Sequence, residues 1–142
     1  KDLNMIVNND NLVNLTGEDL FFVNENREVI LTIPPTFEKV ETNYNLRRDS
    51  IESTNLRERN EVGGIPLYMV SSIKVPQLNP TKKNEFYIVT EEVAFMIYQI
   101  DLRMDVLFPT DIQRIFWDEF GIKRIHYKSL SFVNHKCSFY QK

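Results

Sequence analysis

The chain has 142 residues, of which 42% are hydrophobic, 12% aromatic and 26% charged, with a net charge of −3. That length suits one domain, the apolar share supports a packed core and excludes wholesale disorder, and no apolar run approaches the ~20 residues of a membrane-spanning helix. Charge is uneven: residues 1–70 carry 7 basic and 12 acidic side chains, whereas after residue 111 Arg114, Lys123, Arg124, Lys128, Lys136 and Lys142 face only Asp118 and Glu119, so an anionic ligand is expected at the C-terminal end.

Residues 1–11, rich in asparagine and without periodicity, read as a flexible N-terminus, and residues 12–142 as a single α+β domain. Leu12–Thr16 and Leu20–Val23 read as short strands separated by a turn at Gly17-Glu18-Asp19. A polar turn at Asn24–Arg27 leads to a β-branched run, Val29–Ile33, which Pro34-Pro35 stops because proline lacks the amide hydrogen of a ladder. Residues 43–61 hold many charges and few large apolar groups and read as an exposed excursion that Gly63-Gly64 closes. A strand resumes over Ile65–Val70, and Phe86–Val89 is the most strand-like run in the chain.

Thr90 can cap a helix with Glu91 and Glu92 in its first turn and Val93, Met96, Ile97 and Ile100 on one stripe. Val106–Phe108 is expected to end at Pro109, with Thr110-Asp111 as a turn. Ile112–Trp117 fits a helical stripe or a strand; Gly121 and the alternation of residues 122–127 favour a hairpin, and Ser129–Val133 adds a last strand. The fold class is therefore α+β: a mainly antiparallel β-sheet meander with one principal helix and a C-terminal hairpin.

The chemistry of the familiar hydrolases and transferases is not visible in the motifs. Phosphate-binding glycine loops are absent, and His126, His135 and Cys137 show no metal-ligand spacing, so no enzymatic activity, metal or cofactor is expected. His126 reads as a strand-face histidine. Cys137 is the sole cysteine and cannot form an internal bridge, which fits a reducing cytosol, where the sequon Asn14-Leu15-Thr16 has no meaning. What remains is a set of cations and rings: Arg103, Arg114, Arg124 and Lys128 could clamp phosphates, and Phe95, Tyr98 or Phe108 could stack on a base. Phe95 lies off the apolar stripe, so it either broadens the core face or points to a partner subunit or pocket.

Several segments, in this order over residues 12–133, resemble one family: Leu12-Val13-Asn14-Leu15-Thr16, Ile33-Pro34-Pro35, Val62-Gly63-Gly64-Ile65-Pro66-Leu67, Phe86-Tyr87-Ile88-Val89-Thr90 with Val93-Ala94, Arg103-Met104-Asp105-Val106-Leu107-Phe108-Pro109 and Asp118-Glu119-Phe120-Gly121. They resemble the first-described Thoeris anti-defence proteins, phage sponges that bind the cyclic ADP-ribose isomer (gcADPR) made by the host's TIR enzyme. The resemblance implies a homo-oligomer built on a dimer in the host bacterial cytoplasm, with interfacial pockets where an aromatic ring stacks on adenine and cationic groups hold the pyrophosphate. By position it assigns stacking to Phe95, the Arg-x-Asp segment to Arg103 and Asp105, and a contact after the last turn to Arg124. The family's arginine before that turn is replaced by Trp117, so Arg114 is a further candidate, with Lys128 beside it in the cationic set. Some members bind cyclic oligonucleotides at a second site. The other readings are an inhibitor that docks on a host protein through the acidic N-terminal half, and a nucleotide hydrolase or nuclease that uses His126 or His135.

Overall fold

The computed structural model describes residues 11–36, 39–47, 61–76, 78, 85–100 and 103–133. Asn11 apart, the flexible N-terminus lies outside these residues, as do residues 48–60 of the charged excursion, His135 and Cys137. In chain order the elements are β1 (Leu12–Asn14), β2 (Leu20–Val23), β3 (Val29–Ile33), β4 (Asn43–Arg47), β5 (Glu61–Val62), β6 (Ile65–Pro66), β7 (Met69–Lys74), β8 (Phe86–Ile88), α1 (Glu91–Ile100), β9 (Val106–Trp117) and β10 (Lys123–Phe132). One helix among many strands makes this an α+β fold, and the C-terminal hairpin is β9–β10.

Two compact units divide the chain: residues 41–76, and residues 1–40 with 77–142. In the smaller unit β4 pairs antiparallel with β7, and β5 with β6 across Gly63-Gly64, whose φ values of +57° and +84° are the left-handed conformations a two-residue hairpin loop demands. The single strand expected at Ile65–Val70 is thus divided between β6 and β7.

The larger unit holds a six-stranded mixed sheet in the order β1-β8-β9-β10-β2-β3. The expected meander extends only over β2 and β3, which pair antiparallel; β1 lies parallel to β8, and β2 parallel to β10. The helix explains part of this order. It connects β8 to β9, and a helical crossover brings its two strands side by side in parallel. Thr90 caps it, its hydroxyl accepting from the Val93 amide, and Val93, Ala94 and Ile97 are buried, while Ile100 in the last turn is exposed.

Strand β9 corrects the break expected at Pro109, because it runs on through Pro109 and Asp111 to Trp117. The ladder with β8 ends at Leu107, so no amide donor is needed on that side from Pro109 onward. Asp111, at φ +63°, lies beside a register slip: His126 is opposite Arg114, but Tyr127 is opposite Ile112, leaving Gln113 as the extra residue of a bulge.

Successive residues of a strand point to opposite faces, and both faces of the central strands are covered. Phe86, Ile88 and Leu107 join Leu20, Phe22 and Ile33 in one buried cluster. On the other face Phe108 meets Phe95 of α1, and Val106 lies beside Ala94 and Ile97. Burial on two sides is why Phe86–Val89 reads as an unbroken apolar run rather than an alternating one.

The sheet curls until its outer strands meet, and Asn14 joins them. Its side chain is fully buried; Nδ2 donates to the carbonyls of Ile33 and Glu18, both at 2.9 Å, and Oδ1 accepts from the Thr16 amide at 2.9 Å and the Thr16 hydroxyl at 2.7 Å. Its backbone exchanges bonds with Thr36, the amide donating to Oγ1 and the carbonyl accepting from the Thr36 amide. Two donors and two acceptor sites are all that an asparagine side chain offers, and all four are used. The turn beside it requires glycine, because Gly17 has φ +79° and a Cβ there would lie 2.8 Å from that of Lys39.

Asn14→Ala leaves the buried Ile33 carbonyl without its donor and the buried Thr16 amide without its acceptor, and at ~1–3 kcal/mol for each unmet group it is expected to cost about 2–5 kcal/mol in urea unfolding. Asn14→Asp loses both donors and sets a carboxylate against two carbonyls, so it is expected to be no better. Asn26→Ala, at an exposed turn position, is expected to change stability by less than ~0.5 kcal/mol.

Candidate functional site

The cation-rich C-terminal segment folds into the β9–β10 hairpin, and its register sets Arg124 opposite Phe116, His126 opposite Arg114, and Phe21 of β2 opposite His126. Rings and guanidinium groups therefore share a face. The Arg114 guanidinium lies 4.1 Å from the Phe116 ring centroid, Phe116 meets His126 edge-on at 5.1 Å, His126 meets Phe21 at 5.9 Å, and Arg124 lies 5.5 Å from the Phe21 ring. Burial and then the charge of Arg114 hold the His126 pKa below that of a free imidazole, so the ring is neutral at pH 7.

The turn at the hairpin's end is built on Asp118. Its Oδ1 accepts from the Phe120 and Ile122 amides, and Gly121 takes the left-handed φ of +76°. Its Oδ2 accepts from Arg124 Nε at 2.9 Å. These bonds, the Ile122 amide foremost, hold the Asp118 carboxyl below its usual range. Arg124 also pairs with Asp19 at 3.3 Å, so two carboxylates already attend it. By contrast, Arg114 has no carboxylate partner among the described residues.

The other candidates lie elsewhere. Arg103 and Asp105 face each other in a two-pronged pair at 2.9 and 2.8 Å, with side chains only 8% and 2% exposed. Beside them the Tyr87 hydroxyl donates to Glu85, and burial followed by that bond pushes its pKa up to about 12. Phe95 is half-buried with its ring centroid 5.4 Å from that of Phe108, and Lys128 pairs at 3.0 Å with the exposed Glu25. The structure thus brings Arg114 and Arg124 to one face, and Arg103 and Asp105 to each other, but does not gather all six residues. In the sequon, Asn14 and Thr16 are buried in the internal bonds described above.

Reading the sequence missed the rings of Phe21 and Phe116; His126 is expected on a strand face, where it lies, but not beside these rings. It also missed a cavity of about 370 Å³ at the N-terminal end of α1, lined among others by Glu18, Leu20, Glu91, Phe108, Asp111 and Tyr127. No local signal marks either feature, because the parallel β2–β10 pairing and the bulge create them. Among the described residues no group of three or more His, Cys, Asp or Glu side chains is placed to hold a metal ion. Comparison with protein-family models, curated proteins and solved structures finds no match.

Two expected outcomes follow from this geometry. Arg103→Ala leaves Asp105 buried without its counter-charge and is expected to cost ~3–5 kcal/mol in denaturant unfolding, whereas Arg124→Ala, at a partly exposed site, is expected to cost less. In an NMR titration His126 is expected to show a midpoint below the usual value of about 6.5, and Arg114→Gln moves it up only part of the way, burial being the larger cause. The unfolded chain then takes up the proton more readily, so His126 withdraws stability as pH falls from about 6.5 to its folded midpoint.

Proposed function

We propose that the chain binds and sequesters a cyclic ADP-ribose isomer produced by the TIR protein of a Thoeris defence system, without degrading it. It does so in the host bacterial cytoplasm as a homo-oligomer built on a dimer. The ordered segments that resemble the Thoeris anti-defence sponges support this reading. The structural observation that carries it is the row of rings and guanidinium groups on the hairpin face, where Arg114 lies over Phe116 with no described carboxylate to satisfy. Such a ligand presents an adenine ring and a pyrophosphate, which call for a π surface and cations.

Magnitudes order the candidate contacts. An exposed ion pair is worth about 0–1 kcal/mol, so a pyrophosphate can compete with Glu25 for Lys128; Arg124 is more strongly held, by the half-buried Asp118 and by Asp19. Breaking a buried pair costs ~3–5 kcal/mol, which assigns Arg103 and Asp105 to holding the fold rather than to direct contact. Phe95 packs on Phe108, which covers part of the ring that a base would stack on.

A second reading, an inhibitor that docks on a host protein, has one observation in its favour: Trp117 is 65% and Phe120 78% exposed, with Ile115 and Ile122 also exposed near the hairpin's end. The same surface would serve a second copy of the chain. Calorimetry with the purified cyclic nucleotide separates these readings. The sponge reading predicts a dissociation constant of order nanomolar, about −12 kcal/mol. Arg114→Ala is expected to weaken binding by roughly 10–100-fold, equal to ~1.5–3 kcal/mol for a charge-assisted contact, with an unchanged melting temperature. Unchanged affinity in that variant, or no binding by the wild-type chain, contradicts it.

A further inference from the structure

Of the rings and cations considered for the cyclic nucleotide, the cavity at the head of α1 holds only Phe108. Three separate segments build it: Thr16–Leu20 entering β2, Thr90-Glu91 opening the helix, and Phe108–Ile112 beside the bulge, with Tyr127 of β10 completing the wall. At about 370 Å³ it falls within the range of roughly 300–1,000 Å³ typical of small-molecule sites.

Its lining has one sign of charge. Glu18, Glu91 and Asp111 contribute carboxylates, and among the described residues no Lys, Arg or His lines it. Asp111 accepts from Gln113 Nε2 at 2.8 Å, which leaves its charge in place. The Tyr127 phenol reports the resulting field: burial raises its pKa first, and the charges of Glu18 and Glu91 raise it further. Leu20, Phe108 and Tyr127 also line it and supply apolar surface with two aromatic rings. A phosphate or carboxylate ligand would meet like charge here. A bare metal ion is not favoured either, since no described acidic cluster is close enough to hold one. An ammonium or guanidinium group on an organic body satisfies both parts of the lining, since the charge faces carboxylates and the body packs on rings that themselves attract cations.

We infer that this cavity is a binding site for a small organic cation, an amine or guanidine carried on a ring or short aliphatic body. The inference stands on the cavity alone and is independent of the cyclic nucleotide. Its test is amide-resolved NMR on the full chain, titrated with tryptamine, agmatine and spermidine, and with tryptophol and indole-3-acetate as the neutral and anionic counterparts of tryptamine. At least one cation is expected to shift the amides of Glu18, Glu91 and Asp111, and both counterparts to bind at least about tenfold more weakly than a cation that does. The E18Q/E91Q double variant should weaken that cation by about tenfold or more, tenfold being the size of one charge-assisted contact, while the amide spectrum away from the cavity stays that of the folded wild type; the melting temperature falls slightly because Glu91 also favours the helix N-terminus. Asp111→Asn extends the series, because asparagine tolerates the positive φ of that position. The inference is overturned if no cation shifts those amides, if tryptophol or indole-3-acetate binds as well as the cations, or if the double variant binds unchanged.

Discussion

Asn14 is the residue on which the larger unit depends. A curled sheet whose first and last strands approach without pairing leaves carbonyls and amides buried at the seam, and each unmet group costs ~1–3 kcal/mol. One asparagine resolves that cost by donating to the last strand and to the turn before β2, and by accepting from Thr16. Fixing the seam sets where β2 enters the sheet. That entry places Phe21 opposite His126 and Leu20 at the wall of the cavity. The hairpin face and the cavity both depend on the same bonds.

Much of the fold was legible because it rests on local chemistry. Thr90 with Glu91 and Glu92 marks a helix start whatever surrounds it, Gly63-Gly64 marks a two-residue turn, and Gly121 with Asp118 marks the end of the last hairpin. The order of strands was not legible. Nothing in Leu12–Asn14 indicates a parallel partner more than seventy residues away, and nothing in Leu20–Val23 indicates β10. Pro109 misled for a related reason: a proline inside a strand is tolerated where a neighbouring ladder has already ended, and that is a property of the sheet.

The candidate site was legible as residue types but not as partnerships. Arginines and lysines near the C-terminus identify where positive charge is concentrated, yet the sequence cannot say which carboxylate reaches each of them. Folding pairs Arg103 with Asp105 in the interior, gives Arg124 two acidic partners and Lys128 one, and lays Arg114 against a ring. Those partnerships move weight from the Arg-x-Asp segment, which is spent on stability, to the hairpin face. The acidic cavity was invisible for the opposite reason, because Glu18, Glu91 and Asp111 are far apart in the chain and each alone reads as a solvated charge.

The central claim is that the chain holds a cyclic nucleotide and releases it chemically unchanged. The direct measurement is mass spectrometry of the small molecules freed by heating the protein after incubation in a lysate of infected cells that carry the defence system. The account predicts an intact cyclic ADP-ribose isomer in stoichiometric amount from the wild-type chain and markedly less from Arg114→Ala. Recovery of linear ADP-ribose, or a host protein with no nucleotide, would contradict it.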